Sequence, residues 1–160
     1  MKVREMLITD YEDVIKLITE NNPKLHETAR EEIAELLLRK EAKLFVIDTG
    51  EEIVGVMGYR RDKWGVNDVY WAVWLYVHPR WHRKGVGTLL YKRIEQELSV
   101  IGCRKIYLDV GNEEEHKEAI AFHKSNGFVL EGKLKDFWQD GEDCLIYSKK
   151  LKKESELYKF

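Results

Sequence analysis

The stretch that decides the fold is LYVHPRWHRKGVGTLL, Leu75–Leu90. It opens on the end of a strand, Tyr70–Val77, rich in aromatic and β-branched residues. Pro79 follows, then the run His82-Arg83-Lys84, then Gly85-Val86-Gly87. Beyond the glycines Leu90, Ile94 and Leu98 recur at helical spacing, which predicts a helix over 89–98. Glycines between a strand and a helix let successive backbone N–H groups point into one concavity, and the helix N-terminus adds partial positive charge. Such a turn suits a phosphate or pyrophosphate. Two phosphate motifs are excluded: no GxxxxGK string is present, and Leu90 stands where a dinucleotide fingerprint needs its third glycine. Taken alone, Gly85-x-Gly87 is equally a solvated turn with no ligand.

Working outward, Val3–Ile8 reads as a strand. Thr9 with Glu12, and Thr28 with Glu31, read as capping boxes opening two helices. Asn21-Asn22-Pro23 ends the first helix, and Ile33, Leu36 and Leu37 give the second an apolar face. Leu44–Asp48 and Ile53–Tyr59 form a hairpin around Thr49-Gly50-Glu51-Glu52. Downstream, Gly102 closes the helix begun at Leu89, Ile106–Val110 is a strand, and Glu115–Ser125 is a helix closed by Asn126-Gly127. Phe128–Leu134 and Cys144–Lys149 are the last strands, separated by a polar loop over 136–143 whose turn is Gln139-Asp140-Gly141-Glu142. The order predicts a mixed α/β (α+β) fold with residues 1–151 as a single domain and 152–160 as a tail.

Composition narrows the function. The chain has 160 residues, 44% of them hydrophobic, which suits one compact core. Lys and Arg number 27 against 29 Asp and Glu, a net charge of −2, which argues against a nucleic-acid binder despite Arg80, His82, Arg83 and Lys84. Two cysteines, Cys103 and Cys144, are too few for a disulfide framework or a CxxC zinc site, so no metal is expected. With no apolar run able to cross a bilayer and no leader pattern, the expected location is the cytoplasm, away from membranes.

Two spaced motifs resemble those of the GNAT superfamily of N-acetyltransferases. Leu75-Tyr76-Val77-His78-Pro79 followed by His82-Arg83-Lys84-Gly85-Val86-Gly87 looks like the family's LxVxP strand end and its (Gln/Arg)-x-x-Gly-x-(Gly/Ala) loop. Ala119-Ile120-Ala121-Phe122-His123-Lys124-Ser125-Asn126-Gly127-Phe128 resembles the family's A-x-x-L-Y-x-x-x-G-F helix. The resemblance implies a mostly antiparallel sheet of about seven strands with four helices, and acetyl-CoA as cosubstrate. It implies that the amides of Arg83, Lys84, Gly85, Val86, Gly87 and Thr88 bind pyrophosphate, with His82 beside them. It further implies that a bulge frees the backbone of Leu75, Tyr76 and Val77 to pair with pantetheine. The last strand is expected between Ile106–Val110 and the Phe128 strand, antiparallel to the former, which puts Cys103 and Cys144 at opposite ends and rules out a disulfide between them. Homodimers are common in the family.

The departures concern chemistry. His82 stands where the loop opens with Gln or Arg. His116 takes the place of a helix Asn, with Asn112 four residues earlier as the alternative; Ala119 and Phe122 carry the rest of that cofactor face. His123 replaces the Tyr that protonates the departing thiolate, and an imidazolium is an alternative acid. Trp71 stands where some relatives have a base Glu. Asp109 is then the first candidate base and Tyr70 the second. The acceptor is an amine. Phe137, Trp138 and the carboxylates Asp140, Glu142 and Asp143 suit a cationic one, and the string Gly132–Asp143 resembles the ribosomal-protein and protein N-terminal acetyltransferase branch. A polyamine acceptor, or a module that binds acetyl-CoA without catalysis, are the alternatives.

Overall fold

The computed structural model describes residues 1–151; the expected tail at 152–160 lies outside them. Seven strands and four α-helices follow in chain order: β1 (Lys2–Glu5), α1 (Tyr11–Asn21), α2 (His26–Leu38), β2 (Ala42–Asp48), β3 (Ile53–Arg61), β4 (Val69–Val77), α3 (Val86–Val100), β5 (Lys105–Val110), α4 (Lys117–Ser125), β6 (Val129–Gln139) and β7 (Glu142–Lys150). The strands lie in the order β1-β2-β3-β4-β5-β7-β6. The β1–β2, β2–β3, β5–β7 and β6–β7 pairs are antiparallel, and β4–β5 is parallel. This is the expected fold class, and β7 lies between β5 and β6 as expected.

The chain forms two compact units, Met1–Arg61 with Ala72–Leu98, and Asp62–Trp71 with the chain from Ser99 onward. In the first, both faces of the sheet are covered, so β2 and β3 are buried almost throughout instead of alternating. Val14, Leu17 and Ile18 of α1 and Ala29 and Ile33 of α2 cluster with Leu44, Val46 and Val56 on one face. On the other, α3 turns Val86, Leu90, Tyr91, Ile94 and Leu98 inward. Burial holds the Tyr91 hydroxyl above its ordinary pKa. Gly55 makes that approach possible: a Cβ there would lie 3.0 Å from Val86 Cγ1 and 3.2 Å from both Ile47 Cγ1 and Leu90 Cδ1.

Both predicted capping boxes are corrected. A short 3-10 turn over Ile8–Asp10 precedes α1, so Thr9 does not cap it. The Asp10 carboxylate accepts the Leu7 N–H (2.7 Å) and pairs with the two terminal Arg4 nitrogens (2.8 and 3.0 Å), and Arg4 holds its pKa below the usual range. Helix α2 begins at His26, which puts Thr28 inside its first turn. The segment 136–143 is less a loop than expected. Strand β6 runs to Gln139 through a left-handed Asp136 (φ 53°), whose carboxylate accepts the Gly141 N–H (2.8 Å).

In the second unit, β5 pairs with β7 from Lys105↔Lys150 to Val110↔Leu145. Cys103 therefore lies beyond one end of the ladder and Cys144 beyond the other. Both are free and buried, and burial pushes each thiol up to about 11.

Two expectations follow. Thiol titration of unfolded, unreduced protein should count two free thiols. Gly55→Ala should destabilise the fold by about 1–3 kcal/mol in urea denaturation, because the methyl meets three buried side chains at 3.0–3.2 Å. A neutral result would show that α3 is not seated this tightly.

Candidate functional site

In the first unit the site begins at the end of β4. Trp74 sits in mid-strand with φ 56°, in the left-handed region that L-residues seldom adopt. Its indole N–H donates to Glu32 Oε2 on α2 (3.0 Å) and its ring lies 6.2 Å from Tyr76. The parallel ladder with β5 pairs Val69–Trp71 with Lys105–Tyr107, so Leu75, Tyr76 and Val77 lie beyond it, past the Trp74 kink. All three are half-buried.

The connection from β4 to α3 is braced at several points. The His78 N–H donates to Val54 O (2.8 Å), which ties the strand end to β3. A 3-10 turn over Pro79–Trp81 follows, closed by Trp81 N–H to His78 O (2.7 Å) and His82 N–H to Pro79 O (3.2 Å). His78 Nδ1 accepts the Arg80 N–H (3.2 Å), and its Nε2 faces Glu20 Oε2 at 3.5 Å. The Lys84 ammonium lies 5.4 Å from the Trp81 ring. His82, exposed to solvent, places Nε2 2.7 Å from Val77 O.

After His82 the backbone reverses through Arg83 (φ 60°) and Gly85 (φ 80°), and α3 starts at once. Gly85 O accepts the Leu89 N–H (3.0 Å), the first bond of the helix. By helix geometry the N–H groups of Gly85, Val86, Gly87 and Thr88 then have no intrahelical acceptor. The predicted start at Leu89 is corrected to Val86, so the glycine turn is the helix N-terminus itself. Arg83 and Lys84 are exposed, and the space a Cβ on Gly85 would enter is open.

In the second unit α4 carries the other motif. His116 precedes its first residue, and the imidazole lies over Gly111, where a Cβ would come 2.7 Å from Nε2. Asn112, the alternative, uses Oδ1 to accept the Asp143 N–H (2.8 Å). Ala119 is exposed and Phe122 half-buried. His123 is 8% exposed, between the Phe122 ring (5.9 Å) and the Phe128 ring (6.1 Å). Burial lowers its pKa from 6.5 to about 4.

The two candidate bases lie on opposite faces of this unit's sheet. Along β5, Ile106, Leu108 and Val110 are buried while Lys105, Tyr107 and Asp109 are not. Trp71 pairs with Tyr107 and their rings lie 5.3 Å apart, so Asp109 shares the Trp71 face by strand alternation. Tyr70 pairs with Ile106 and is 8% exposed, turned to the packed face. On the open face Lys105 binds Glu131 (2.7 Å) and lies 5.0 Å from the Tyr107 ring.

Sequence reasoning passed over Asp62. It is buried and accepts the Trp64 N–H (2.8 Å) and the Trp71 indole N–H (3.2 Å). Its only signal was a turn-forming Asp two residues before Trp64. Among the described residues no group of His, Cys, Asp or Glu is arranged to hold a metal ion, and no helix is long and apolar enough to cross a membrane.

Comparison with known proteins bears on this arrangement. No curated protein matches the chain. A protein of the GNAT family from Desulfovibrio desulfuricans is similar in structure, with TM-score 0.85, 20% identity, and 93% of this chain and 98% of that one covered. An aminoglycoside 6'-N-acetyltransferase complexed with coenzyme A superposes with TM-score 0.82 at 17% identity, covering 94% and 97%. The ribosomal-protein-S18-alanine N-acetyltransferase of Escherichia coli gives TM-score 0.76 at 16% identity over 99% of both chains. The family model for the acetyltransferase (GNAT) family matches residues 3–128. The chain belongs to the GNAT acetyltransferase family.

Proposed function

We propose that residues 1–151 form an acetyl-CoA-dependent N-acetyltransferase that passes the acetyl group to a primary amine by direct attack. The observation that carries it is the start of α3. Its first amides emerge from a turn bent by left-handed Arg83 and Gly85, with two exposed cations and open space above Gly85. Such a turn fits a pyrophosphate.

Acetyl-CoA supplies an acyl group activated as a thioester. In this reading the amides of Arg83–Thr88 hold its pyrophosphate, and the backbone of Leu75, Tyr76 and Val77 takes the pantetheine arm as an added strand. His116, Ala119 and Phe122 belong to the same cofactor by motif. The acceptor ammonium must lose a proton before it attacks. Asp109, an exposed carboxylate on the Trp71–Tyr107 face, takes it directly or through a water. Tyr70, turned to the packed face, is the weaker choice.

With a pKa of about 4 the His123 ring is neutral at pH 7. Roughly one ring in a thousand is then an imidazolium. Negative charge developing on the departing thiolate would raise the pKa of a buried imidazole, so His123 would act as the acid only as that thiolate forms. That neutral ring also favours a second reading, an acetyl-CoA-binding module without catalysis. For the acceptor we favour a protein N-terminal amine over a polyamine. Phe137 and Trp138, 54% and 53% exposed and packed edge to face at 4.8 Å, offer an aromatic surface beside the carboxylates at 140–143.

Acetyl-CoA should raise the melting temperature, and thiol release should accompany at least one amine in a panel of N-terminal peptides, polyamines and aminoglycosides. Binding without turnover of any amine selects the binding module. Asp109→Asn should lower kcat about 100-fold and leave acetyl-CoA affinity intact; equal loss of both removes Asp109 as base.

The buried His123 has its own signature. Between pH 6.5 and about 4 the unfolded chain binds a proton that the folded ring refuses. This contribution to stability is complete above pH 6.5 and is lost as the pH falls. His123→Phe should therefore lose about 2–3 kcal/mol less than the wild type between pH 7 and 4.5 in urea denaturation. Identical pH dependence would show that the ring is not held neutral.

A further inference from the structure

We propose that His82 is a positioning residue for the cofactor loop: its ring ties the loop to the last carbonyl of β4 and so sets the backbone that receives pyrophosphate, without contacting the phosphate. The proposal rests on the acetyl-CoA reading above. Val77 O is only an acceptor, so at 2.7 Å it is His82 Nε2 that carries the hydrogen and donates it. That fixes the tautomer and leaves Nδ1 as the ring's acceptor in the neutral state.

The tie comes where the chain most needs holding. His82 itself is extended (φ −63°, ψ 145°), and the next residue, Arg83, is left-handed without being glycine. A left-handed L-residue is disfavoured and persists only where its surroundings impose it. Upstream, His78 is fixed to Val54 O and the Pro79–Trp81 turn is closed by two backbone bonds. Downstream, Val86 is packed against Gly55. The His82 ring closes the interval between these anchors by binding the loop back onto Val77. The reversal at Arg83 is then over-determined, and the amides that follow it are aimed before any anion arrives.

This role also accounts for the residue type. Gln and Arg, the residues the related loops carry here, share with His a side-chain N–H able to reach a carbonyl. A neutral imidazole already has that hydrogen at Nε2, so the tie needs no charge. A His contacting phosphate would instead bind best as imidazolium and would make affinity for coenzyme A rise on acidification.

The test combines two readouts on the intact chain. Imidazole 15N spectra of the ligand-free protein, assigned with His82→Gln, should show the Nε2–H tautomer in a hydrogen bond. Calorimetric titration with coenzyme A should give about tenfold weaker binding for His82→Ala and wild-type binding, within about twofold, for His82→Gln. An Nδ1–H tautomer, or wild-type affinity in His82→Ala, overturns the positioning role. So does an affinity that climbs from pH 8 to pH 6 in the wild type but not in His82→Gln, which would mark direct phosphate contact. Should the wild type fail to bind coenzyme A at all, the acetyl-CoA reading falls and this role falls with it.

Discussion

Helix α3 offers its first amides only because its first turn is seated, and the seat is a missing side chain. Gly55 in β3 leaves room for Val86 and Leu90 to press onto the strand, and Val86 is 1% exposed although it is the first residue of the helix. Helix ends fray when nothing packs against them, and a frayed N-terminus cannot present a fixed set of donors. The rest of the loop is built back from that seat. Gly85 takes a positive φ at no steric cost, Arg83 takes one at some cost, and the His82 bond to Val77 O closes the connection to β4. In the proposed pyrophosphate site, strain of this kind would hold the backbone in the conformation the anion needs, so little ordering would remain to be done on binding.

Most of the fold was legible because its elements repeat. The β2–β3 hairpin, the aromatic β4 and the i, i+4 pattern of α3 each carry several residues of evidence, and the order of elements survives small errors at their ends. Helix N-termini depart most from the local signals, and at α1 and α3 other contacts override those signals. Thr9 and Thr28 had the right spacing for caps, but Asp10 was drawn to Arg4 and the Leu7 N–H, which inserted a turn before α1. Helix α3 starts three residues earlier than its pattern because Gly87 and Thr88, poor helix formers, are carried by the packing of Val86. Gly55 and Asp62 left almost no trace. A single glycine in a strand and a single aspartate in a turn acquire meaning only when the chain folds their partners against them.

The histidines show the same limit in the chemistry. His82, His116 and His123 were all visible as departures from family motifs, yet three unlike surroundings give three unlike side chains. One donates to a carbonyl in solvent, one lies over a glycine, and one is buried between two phenyl rings and held neutral. Type and spacing located them; burial and partners decide what each does.

The replacement of a relative's glutamate by Trp71 is less of a loss than it looks, because that face of the second unit still carries carboxylates. They are not equivalent as bases. Asp62 is buried and already accepts two N–H bonds, from Trp64 and the Trp71 indole, so its lone pairs serve the turn and the indole's orientation. Glu131 is drawn below the usual carboxylate range by its bond to Lys105, and a carboxylate held down by a lysine is a poorer proton acceptor. Asp109 differs from both in place: it is exposed, near the end of β5, and two residues along from the Tyr107 ring that Trp71 packs against. An amine approaching that face would meet aromatic surface with a carboxylate at its edge, which is an attractive setting for a cation before deprotonation and a base for it afterwards. In the function proposed above, Trp71 would shape the acceptor side and Asp109 would be the base, two tasks that a single strand glutamate would otherwise combine.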